Sequence, residues 1–378
     1  MKTIFGTRGL ILAAALGASV GYTSLAFAQN VSQTTVIVNP DGKVTYLGTL
    51  GGSNSYAAGI NNAGQVAGNS ILTGFITGPN GMGMTDLGTL GGIVSSASGI
   101  NDSGQVVGFS YTTGSDSAHA FITGPNGMGM TGLGTLGGDI SLAYGINDAG
   151  QVVGGSQTAD GSDHAFITGP NGLGMTDLGT LGGTRSGATA INDAGQVAGT
   201  STTADGSDHA FITGPNGLGM TDLGTLGGVF SYAAGINDSG QIAESIYTTD
   251  NSYRALITGP DGQGMTDLGT LGGDGSFATG INDAGQVTGW SATADGTDHA
   301  FITGPNGMGM IDVNSYADLP DGGGYVSHAQ GINNLGQVVA LAVIIPEPAS
   351  YALMLGGLGL VGFMARGKRA ADNTVARG

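Results

Sequence analysis

The sequence contains no cysteine and very little glutamate, although it is 378 residues long. Without cysteine there is no disulfide framework, so an exported chain of this kind must take its stability from a repetitive, well-paired core. The only glutamates are Glu244 and Glu347, which argues against the glutamate pair of many glycoside hydrolases. Two aspartates could still fill that role.

Basic residues are almost missing from the middle of the chain. Between residues 29 and 345, Lys43, Arg185 and Arg254 are set against 25 acidic residues, which gives a formal charge of −22. Such a charge repels phosphate backbones, so we predict that nucleic acid is not a partner. Solubility and an attraction for cations are the expected consequences.

Motifs of known catalytic sites are scarce as well. The sequence has neither a phosphate-binding Gly-Lys-Ser/Thr nor a His-Glu-x-x-His motif. Its repeated units differ mainly by Ala/Ser or Met/Leu exchanges, whereas an enzyme usually breaks its symmetry at one pocket. We therefore predict no catalytic residue, no cofactor and no enzyme activity. The alternative is a polysaccharide-acting hydrolase or lyase.

Repetition is what the chain has in abundance. Gly-Thr-Leu-Gly-Gly occurs six times between residues 48 and 273, and each copy is followed by an Ile-Asn motif. The Ile-Asn motif begins at Ile60, Ile100, Ile146, Ile191, Ile236, Ile281 and Ile332. A period of about 45 residues is typical of a propeller, a solenoid or another repeat array.

Each repeat divides into four short β segments. An Asn-Asp-x-Gly turn follows segment one, a polar loop follows segment two, and Gly-Pro-Asn-Gly follows segment three. In the first repeat the loop after Ser70 almost vanishes, which indicates that the strands on either side are adjacent and antiparallel. Four such strands per repeat predict an all-β propeller blade, with a β-solenoid as the alternative.

The order of the segments predicts how the ring closes. Segments three and four occur first at residues 35–52, before any hairpin of segments one and two. The last such hairpin, near residues 327–342, has no three-four pair after it. The N-terminal pair can therefore complete the last blade. We predict a seven-bladed β-propeller across residues 29–344, closed by a two-plus-two strand overlap.

The N-terminus has the features of a secretory signal peptide. Lys2 and Arg8 precede a short apolar run, and Ala26 and Ala28 form a small-x-small cleavage site. We predict a signal peptide over residues 1–28. An uncleaved membrane anchor is the alternative, although the apolar run is short for a bilayer span.

The C-terminus carries a second, tripartite signal. A Pro-Glu-Pro motif precedes an uncharged run over residues 349–365, and a basic cluster follows. The residues of the two motifs are Pro346, Glu347, Pro348, Arg366, Lys368 and Arg369. The length of the run suits a transmembrane helix, and the basic cluster marks its cytoplasmic side. We predict a sorting and transmembrane segment over residues 345–369 and a short tail over residues 370–378.

This tripartite arrangement closely resembles the PEP-CTERM sorting domain of Gram-negative, exopolysaccharide-producing bacteria. The resemblance implies an exosortase-type membrane protease as a partner and transient anchoring in the inner membrane through the C-terminal helix. Release, or attachment at the cell surface, would follow. Residues 370–378 extend beyond the point where the family usually ends. An ordinary tail anchor is the alternative.

The repeats carry a second resemblance. His-Ala-Phe segments, surrounded by Leu-Gly-Thr-Leu-Gly-Gly and Gly-Ile-Asn-x-x-Gly-Gln-Val stretches, resemble the HAF family of extracellular repeat proteins. The resemblance covers nearly the whole mature chain. It implies an extracellular repeat protein, but no defined reaction.

Histidine is the first candidate for a binding role. The equivalent positions of the seven units are Thr34, Thr73, His119, His164, His209, Arg254 and His299. Residues spaced in this way lie on different blades and cannot share one tetrahedral metal ion. We predict a structural role in which the imidazole bonds a strand-end carbonyl group.

Aspartate is the second candidate. Pairs of aspartates bracket glycine in the polar loops, at Asp160 and Asp163, Asp205 and Asp208, and Asp295 and Asp298. They predict solvated turns, with a weak calcium site as the alternative. The Asn-Asp turns carry Asp102, Asp148, Asp193, Asp238 and Asp283, replaced by Asn62 and Asn334 in the first and last copies. Because Asn cannot titrate, the exchange predicts a turn role.

Two irregular features remain. Trp290 is the only tryptophan, and it is expected either to pack or to line a sugar site. Residues 312–327 diverge most from the repeat, so a special site is expected there first. We predict a secreted or surface-attached protein of a Gram-negative bacterium. Its expected role is structural or adhesive, with exopolysaccharide as the partner class.

Overall fold

The computed structural model describes residues 32–345, except residues 53, 115–116 and 320–323. Both predicted end segments, the signal peptide over residues 1–28 and the sorting segment from residue 346 onward, lie outside the described residues. Within the described part, no helix is long and apolar enough to cross a membrane.

Seven four-stranded antiparallel sheets make up the fold, and each sheet is one blade. In blades 1 to 6 the four strands follow one another along the chain. Blades 1 to 3 contain β3 (Tyr56–Ile60), β4 (Val66–Ser70), β5 (Thr73–Ile76), β6 (Thr85–Asp86); β7 (Gly91–Ile100), β8 (Val106–Thr112), β9 (Ala118–Thr123), β10 (Met130–Gly132); β11 (Gly137–Ile146), β12 (Val152–Thr158), β13 (Asp163–Thr168) and β14 (Met175–Asp177). Blades 4 to 6 contain β15 (Gly182–Ile191), β16 (Val197–Thr203), β17 (Asp208–Thr213), β18 (Met220–Gly224); β19 (Phe230–Ile236), β20 (Ile242–Tyr247), β21 (Tyr253–Thr258), β22 (Met265–Asp267); β23 (Gly272–Ile281), β24 (Val287–Thr293), β25 (Asp298–Thr303) and β26 (Met310–Asp312).

Blade 7 joins the two ends of the chain. It is built from β1 (Ser32–Val38), β2 (Val44–Tyr46), β27 (Gly324–Ile332) and β28 (Val338–Ile344), in the order β2-β1-β28-β27. β1 pairs with β28 along its whole length, from Ser32 opposite Ile344 to Val38 opposite Val338. The predicted seven-bladed propeller and its two-plus-two closure are therefore confirmed, and the solenoid alternative is wrong.

Turn chemistry explains why each repeat folds in the same way. In the Gly-Pro-Asn-Gly turn of blade 1, Asn80 adopts a left-handed backbone with φ of 54°, a conformation that Asn tolerates better than most residues. These turns form short 3₁₀ helices at Pro79–Gly81, Pro125–Gly127, Pro170–Gly172, Pro215–Gly217, Pro260–Gly262 and Pro305–Gly307. A seventh 3₁₀ helix, Val313–Ser315, lies outside this pattern.

The hydrophobic core lies between neighbouring blades. In one cluster, Val153 and Ile167 of blade 3 pack with Ile191, Val197 and Phe211 of blade 4. Each blade therefore buries one face against the blade before it and the other against the blade after it, which is how short sheets gain a continuous core in a ring.

Strand order defines the two faces of the ring. The first strand of each blade lines the central channel. One face, which we name the Asn-Asp face, carries the Asn-Asp turns and the Gly-Pro-Asn-Gly turns. The other face, named the loop face, carries the loops between the second and third strands and the connections between blades. β28 ends at Ile344 on the loop face, because Ile344 pairs with the first residue of β27.

Candidate functional site

Two belts of hydrogen bonds surround the channel mouth on the Asn-Asp face. In the first belt, each Asn side chain donates from Nδ2 to the backbone carbonyl of the Asn in the next blade. The seven donors are Asn61, Asn101, Asn147, Asn192, Asn237, Asn282 and Asn333, and the distances are 2.9–3.1 Å. All seven side chains are buried. This belt therefore satisfies buried amides and also joins each blade to the next.

The second belt is made by the next residue in each turn. Its backbone N–H donates to Oδ1 of the equivalent residue one blade further on. The seven residues are Asn62, Asp102, Asp148, Asp193, Asp238, Asp283 and Asn334, at distances of 2.8–3.1 Å. The predicted turn role thus extends to a link between blades. It also explains why Asn replaces Asp on either side of the closure, since either side chain supplies the Oδ1 acceptor.

Five carboxylates in one ring create a negative mouth. Partial burial raises the pKa of Asp148, and the charges of Asp102, Asp193 and Asp238 add to that rise. Partial burial also raises the pKa of Asp238, and the charges of Asp283 and Asp193 add to that rise. Among the described residues, however, no group of three or more His, Asp or Glu side chains has a geometry that could hold a metal ion. The ring acts as a connecting belt with a negative surface.

Three of the repeat histidines bond carboxylates, so the predicted bond to a strand-end carbonyl is wrong for them. His164 Nδ1 lies 2.8 Å from Asp177 Oδ2, across the pair formed by β13 and β14. His209 makes the same contact with Asp222. His299 lies 2.7 Å from Asp312. The three pairs lie on separate blades, as predicted, and each joins the third strand to the fourth.

The pattern of substitution could have revealed these pairs. His119 is the one repeat histidine whose fourth strand carries Gly132 in place of the aspartate. In blade 5 Arg254 takes the histidine position and donates from Nη1 to the backbone carbonyl of Asp274, at 2.7 Å. A separation of 13 residues between His and Asp recurs in blades 3, 4 and 6.

The aspartates at the tips of the polar loops accept hydrogen bonds from residues of the same loop. Asp160 Oδ1 accepts from the Thr158 hydroxyl and, at 3.2 Å, from the backbone N–H of Ser162. The Thr158 bond, followed by the Ser162 bond, lowers the pKa of Asp160. Asp205 and Asp295 have the same arrangement. The weak calcium site in these loops stays a prediction.

A continuous aromatic strip crosses blades 5, 6 and 7. It consists of Phe230, Tyr232, Tyr247, Tyr253, Phe277, Trp290 and His328, all half-buried. Phe230 and Tyr247 are stacked with ring centroids 4.8 Å apart. Phe277 and Trp290 stack at 5.9 Å, and Trp290 meets His328 at 5.6 Å. Tyr253 links the two stacks through an edge contact with Phe277 at 5.3 Å.

Polar groups border the strip at its blade 4 end. Arg185 Nη2 donates to Asp208 Oδ2 at 2.7 Å, and both residues line a cleft together with Tyr232. Burial and the charge of Asp208 contribute to a raised pKa of Tyr232. Rings beside a few oriented polar groups are the usual composition of a small-molecule or sugar subsite.

The sequence indicates only part of this strip. Trp290 was singled out as the one tryptophan, and the structure places it in the middle of the ring contacts. The neighbouring rings were missed, because they come from three blades and meet only once the blade order is known.

The divergent residues 312–327 form a structural connection where they are described. Asp312 Oδ1 accepts from the backbone N–H of Asn314, and the Asn314 side chain pairs with both backbone groups of Val326. Tyr325 meets His299 with ring centroids 5.4 Å apart. This region therefore fastens blade 6 to blade 7.

Glu244 was also missed. Its side chain is fully buried in blade 5, and neither carboxyl oxygen has a hydrogen-bond partner among the described residues. Burial raises its pKa to about 8, and the nearby Ser231 hydroxyl opposes that rise. The signal available in the sequence was that Glu244 is the only glutamate before the sorting segment.

Comparison with known proteins identifies the C-terminal segment. Residues 345–369 match the PEP-CTERM protein-sorting motif. The predicted sorting residues Pro346, Glu347 and Pro348 and the basic cluster lie within this match but outside the described residues. Ala26 and Ala28 of the predicted cleavage site lie outside both the match and the described residues. No curated protein matches the chain at the sequence level.

Solved structures match the propeller. The β-propeller domain of the Trilobed protease from Pyrococcus furiosus matches with a TM-score of 0.52 and 10% identity over 76% of this chain and 88% of that one. A protein described as TolB from Agrobacterium tumefaciens matches with a TM-score of 0.50 and 13% identity over 72% and 98%. A puromycin-hydrolyzing peptidase from Mycobacterium tuberculosis matches with a TM-score of 0.50 and 11% identity over 78% of this chain and 55% of the peptidase.

At such low identity these likenesses establish the fold alone, and they lend no support to a polysaccharide-acting enzyme. The sorting motif is recognised by exosortase for processing, and it indicates export to the cell surface of a Gram-negative bacterium. The chain is an exosortase-sorted extracellular protein built on a seven-bladed propeller scaffold.

Proposed function

We propose that the propeller is a non-catalytic surface or matrix scaffold that contacts neutral exopolysaccharide through the aromatic strip. The proposal includes cleavage of a signal peptide after Ala28 and a membrane-anchored stage through residues 349–365. It also includes membership of the HAF repeat family for residues 29–344. Removal of the tail then releases the protein or attaches it to the cell surface.

The observation that carries the proposal is the aromatic strip itself. The belts and turns recur around the ring, whereas the aromatic strip is confined to blades 5, 6 and 7. Trp290 occupies a strand position that holds Gly155 in blade 3 and Thr200 in blade 4. Pyranose rings present C–H faces that pack on aromatic side chains, and their hydroxyl groups bond to polar groups at the edge.

Charge favours a neutral polymer. The formal charge of −22 between residues 29 and 345 repels a polyanion, and that repulsion acts before any local contact forms. The Arg185–Asp208 pair at the edge of the strip is internally neutralised, so it offers hydrogen bonds without a net positive charge.

A pair of matched variants tests the proposal. Trp290→Ala removes the central ring of the strip, whereas Phe109→Ala removes a ring from the equivalent strand position of blade 2, where it stands opposite Ser96. We expect Trp290→Ala to weaken binding of the mature protein to a neutral polysaccharide at least about tenfold, which is about 1.4 kcal/mol. Phe109→Ala should leave binding unchanged. Equal effects of the two variants, or tighter binding to an anionic polysaccharide, would contradict the proposal.

A further inference from the structure

On the loop face, the tip of the loop between the second and third strands is apolar in blade 1 and acidic in blades 3 to 6. Blade 1 carries Ile71 and Leu72 at its hairpin tip, with 73% and 54% of their surface exposed. Ile93 in blade 2 is 81% exposed. We name these three residues the apolar patch. The backbone N–H of Ser95 donates to the Leu72 carbonyl at 3.0 Å, which fixes the hairpin tip beside the strand that carries Ile93.

The corresponding loops of blades 3 to 6 are acidic. Their tips carry Asp160, Asp205, Asp250 and Asp295, whose carboxylates accept hydrogen bonds from their own loops. These hydrogen bonds lower the pKa of each of the four carboxyl groups, so the loops remain charged in mildly acidic surroundings. These acidic loop tips are thus suited to water, and the apolar patch to an apolar phase.

The chain leaves the propeller beside the apolar patch. β28 ends at Ile344 on the loop face of blade 7, and blade 7 is joined to blade 1 through Asn333 and Asn61. Only residues 345–348 separate the end of this strand from the uncharged run that begins at Ala349. Even fully extended, four residues span at most about 14 Å. A propeller whose tail is inserted in a membrane must therefore hold its loop face close to the bilayer.

From this juxtaposition we propose that the loop face docks on the bilayer that holds the tail, with the apolar patch inserted among zwitterionic lipid headgroups. The inference rests on the membrane-anchored stage of the proposed function. Moving exposed aliphatic side chains from water into the interfacial region of the bilayer lowers the free energy. Tyr56, which is 43% exposed on the same face, is a residue type that is enriched in that region. The acidic loops remain in water, so the ring tilts towards blades 1 and 2.

The absence of cysteine allows a direct test with the full chain in phosphatidylcholine vesicles. Ile71→Cys places one environment-sensitive fluorophore on the apolar patch. Ala204→Cys places it on the acidic loop of blade 4, and Met128→Cys places it on the Asn-Asp face. Flotation with the vesicles first establishes that all three labelled proteins are anchored. A quencher attached to lipid should then quench the Ile71 label several-fold more strongly than the other two.

Each result has one meaning. Anchored protein whose Ile71 label is quenched no more than the Ala204 label overturns the docking inference and leaves the membrane-anchored stage intact. Protein that does not float overturns both. The Ala204 and Met128 controls carry the same fluorophore as the Ile71 variant. If the label itself drove insertion, the lipid quencher would quench all three labels alike, and that result also overturns the inference.

Discussion

Blades 4 and 5 are neighbours with the same strand order, yet they differ in one buried cross-strand pair between their second and third strands. In blade 4, Gly199 pairs with Phe211, whose ring is fully buried. In blade 5, Glu244 pairs with Leu256 at the same register. Leu256 is smaller than phenylalanine, and the glycine opposite it is replaced by Glu244, so both strands of blade 5 contribute a large buried side chain.

The glycine of blade 4 is required by its surroundings. A Cβ atom at Gly199 would lie 2.2 Å from the Gly187 carbonyl oxygen and 2.8 Å from the Phe211 ring. The Gly–Phe arrangement recurs in blades 1, 2, 3 and 6. It therefore belongs to the regular blade, and blade 5 departs from it at both positions together.

Blade 5 also begins differently. β15 of blade 4 contains an irregularity between Gly182 and Ser186, whereas β19 pairs without interruption from Phe230 to Ala233. Leu226 in the preceding connection is 59% exposed and has a φ of 48°. The unit of variation in this propeller is therefore a cross-strand pair with its flanking loop, not a single residue.

The largest loss of stability is expected when the glutamate of the blade 5 pair is introduced at the equivalent glycine of blade 4. Gly199→Glu forces side-chain atoms against a backbone carbonyl and the Phe211 ring and buries a carboxyl group. We expect it to remove on the order of 5 kcal/mol or more, which is comparable to the whole stability of a typical domain. Denaturant unfolding measures the loss. Adding Phe211→Leu should recover part of it, and a single variant as stable as the parent would refute the steric account.

A smaller effect is expected from the ionisation of Glu244. Its pKa is about 8 in the folded protein against an ordinary value of 4.5, so the folded state holds a proton that the unfolded chain releases. The stabilising contribution is complete below pH 4.5 and is lost as the pH rises to 8. At about 1.4 kcal/mol per pKa unit, this amounts to roughly 3–5 kcal/mol.

Glu244→Gln keeps the shape of the side chain and removes the titration. Free energies of unfolding measured from pH 4.5 to 9 should therefore fall less steeply in the variant than in the parent. The same slope in both proteins would show that Glu244 is not buried in its neutral form.

The smallest effect concerns the surface pairs. Blade 2 has His119 but carries Gly132 where blade 4 has Asp222. Gly132→Asp should create another His–Asp pair and raise stability by less than about 1 kcal/mol, because exposed pairs contribute little. Gly132→Asn is the uncharged control. A gain that is equal in both variants, and that persists in 1 M salt, would assign the effect to hydrogen bonding and not to charge.

The fold could be predicted from the sequence because its instructions are local and repeated. Each Asn-Asp-x-Gly and Gly-Pro-Asn-Gly turn reverses the chain wherever it occurs, and the displaced three-four pair at residues 35–52 predicted the closure. The Gln side chains behind the turns add contacts that only the structure reveals, such as Gln65 Nε2 to Asn126 Oδ1 of the next blade, at 3.2 Å.

The candidate site could not be predicted to the same extent. Tyr247, Phe277 and His328 are far apart in the sequence and belong to one strip only because blades 5, 6 and 7 are adjacent. Whether the Glu244 side chain is buried depends on which face of its pleated strand points into the core, and a one-residue shift of register reverses that face. Patterns within a repeat are therefore visible in the sequence, whereas contacts between repeats require the structure.

The decisive test of the non-catalytic scaffold is to incubate the mature protein with a neutral bacterial polysaccharide. Bound protein and polymer length are then followed together over time. We expect saturable binding that depends on Trp290, with polymer length unchanged. Progressive shortening of the polymer would contradict it, because the propeller would then be an enzyme and not a scaffold.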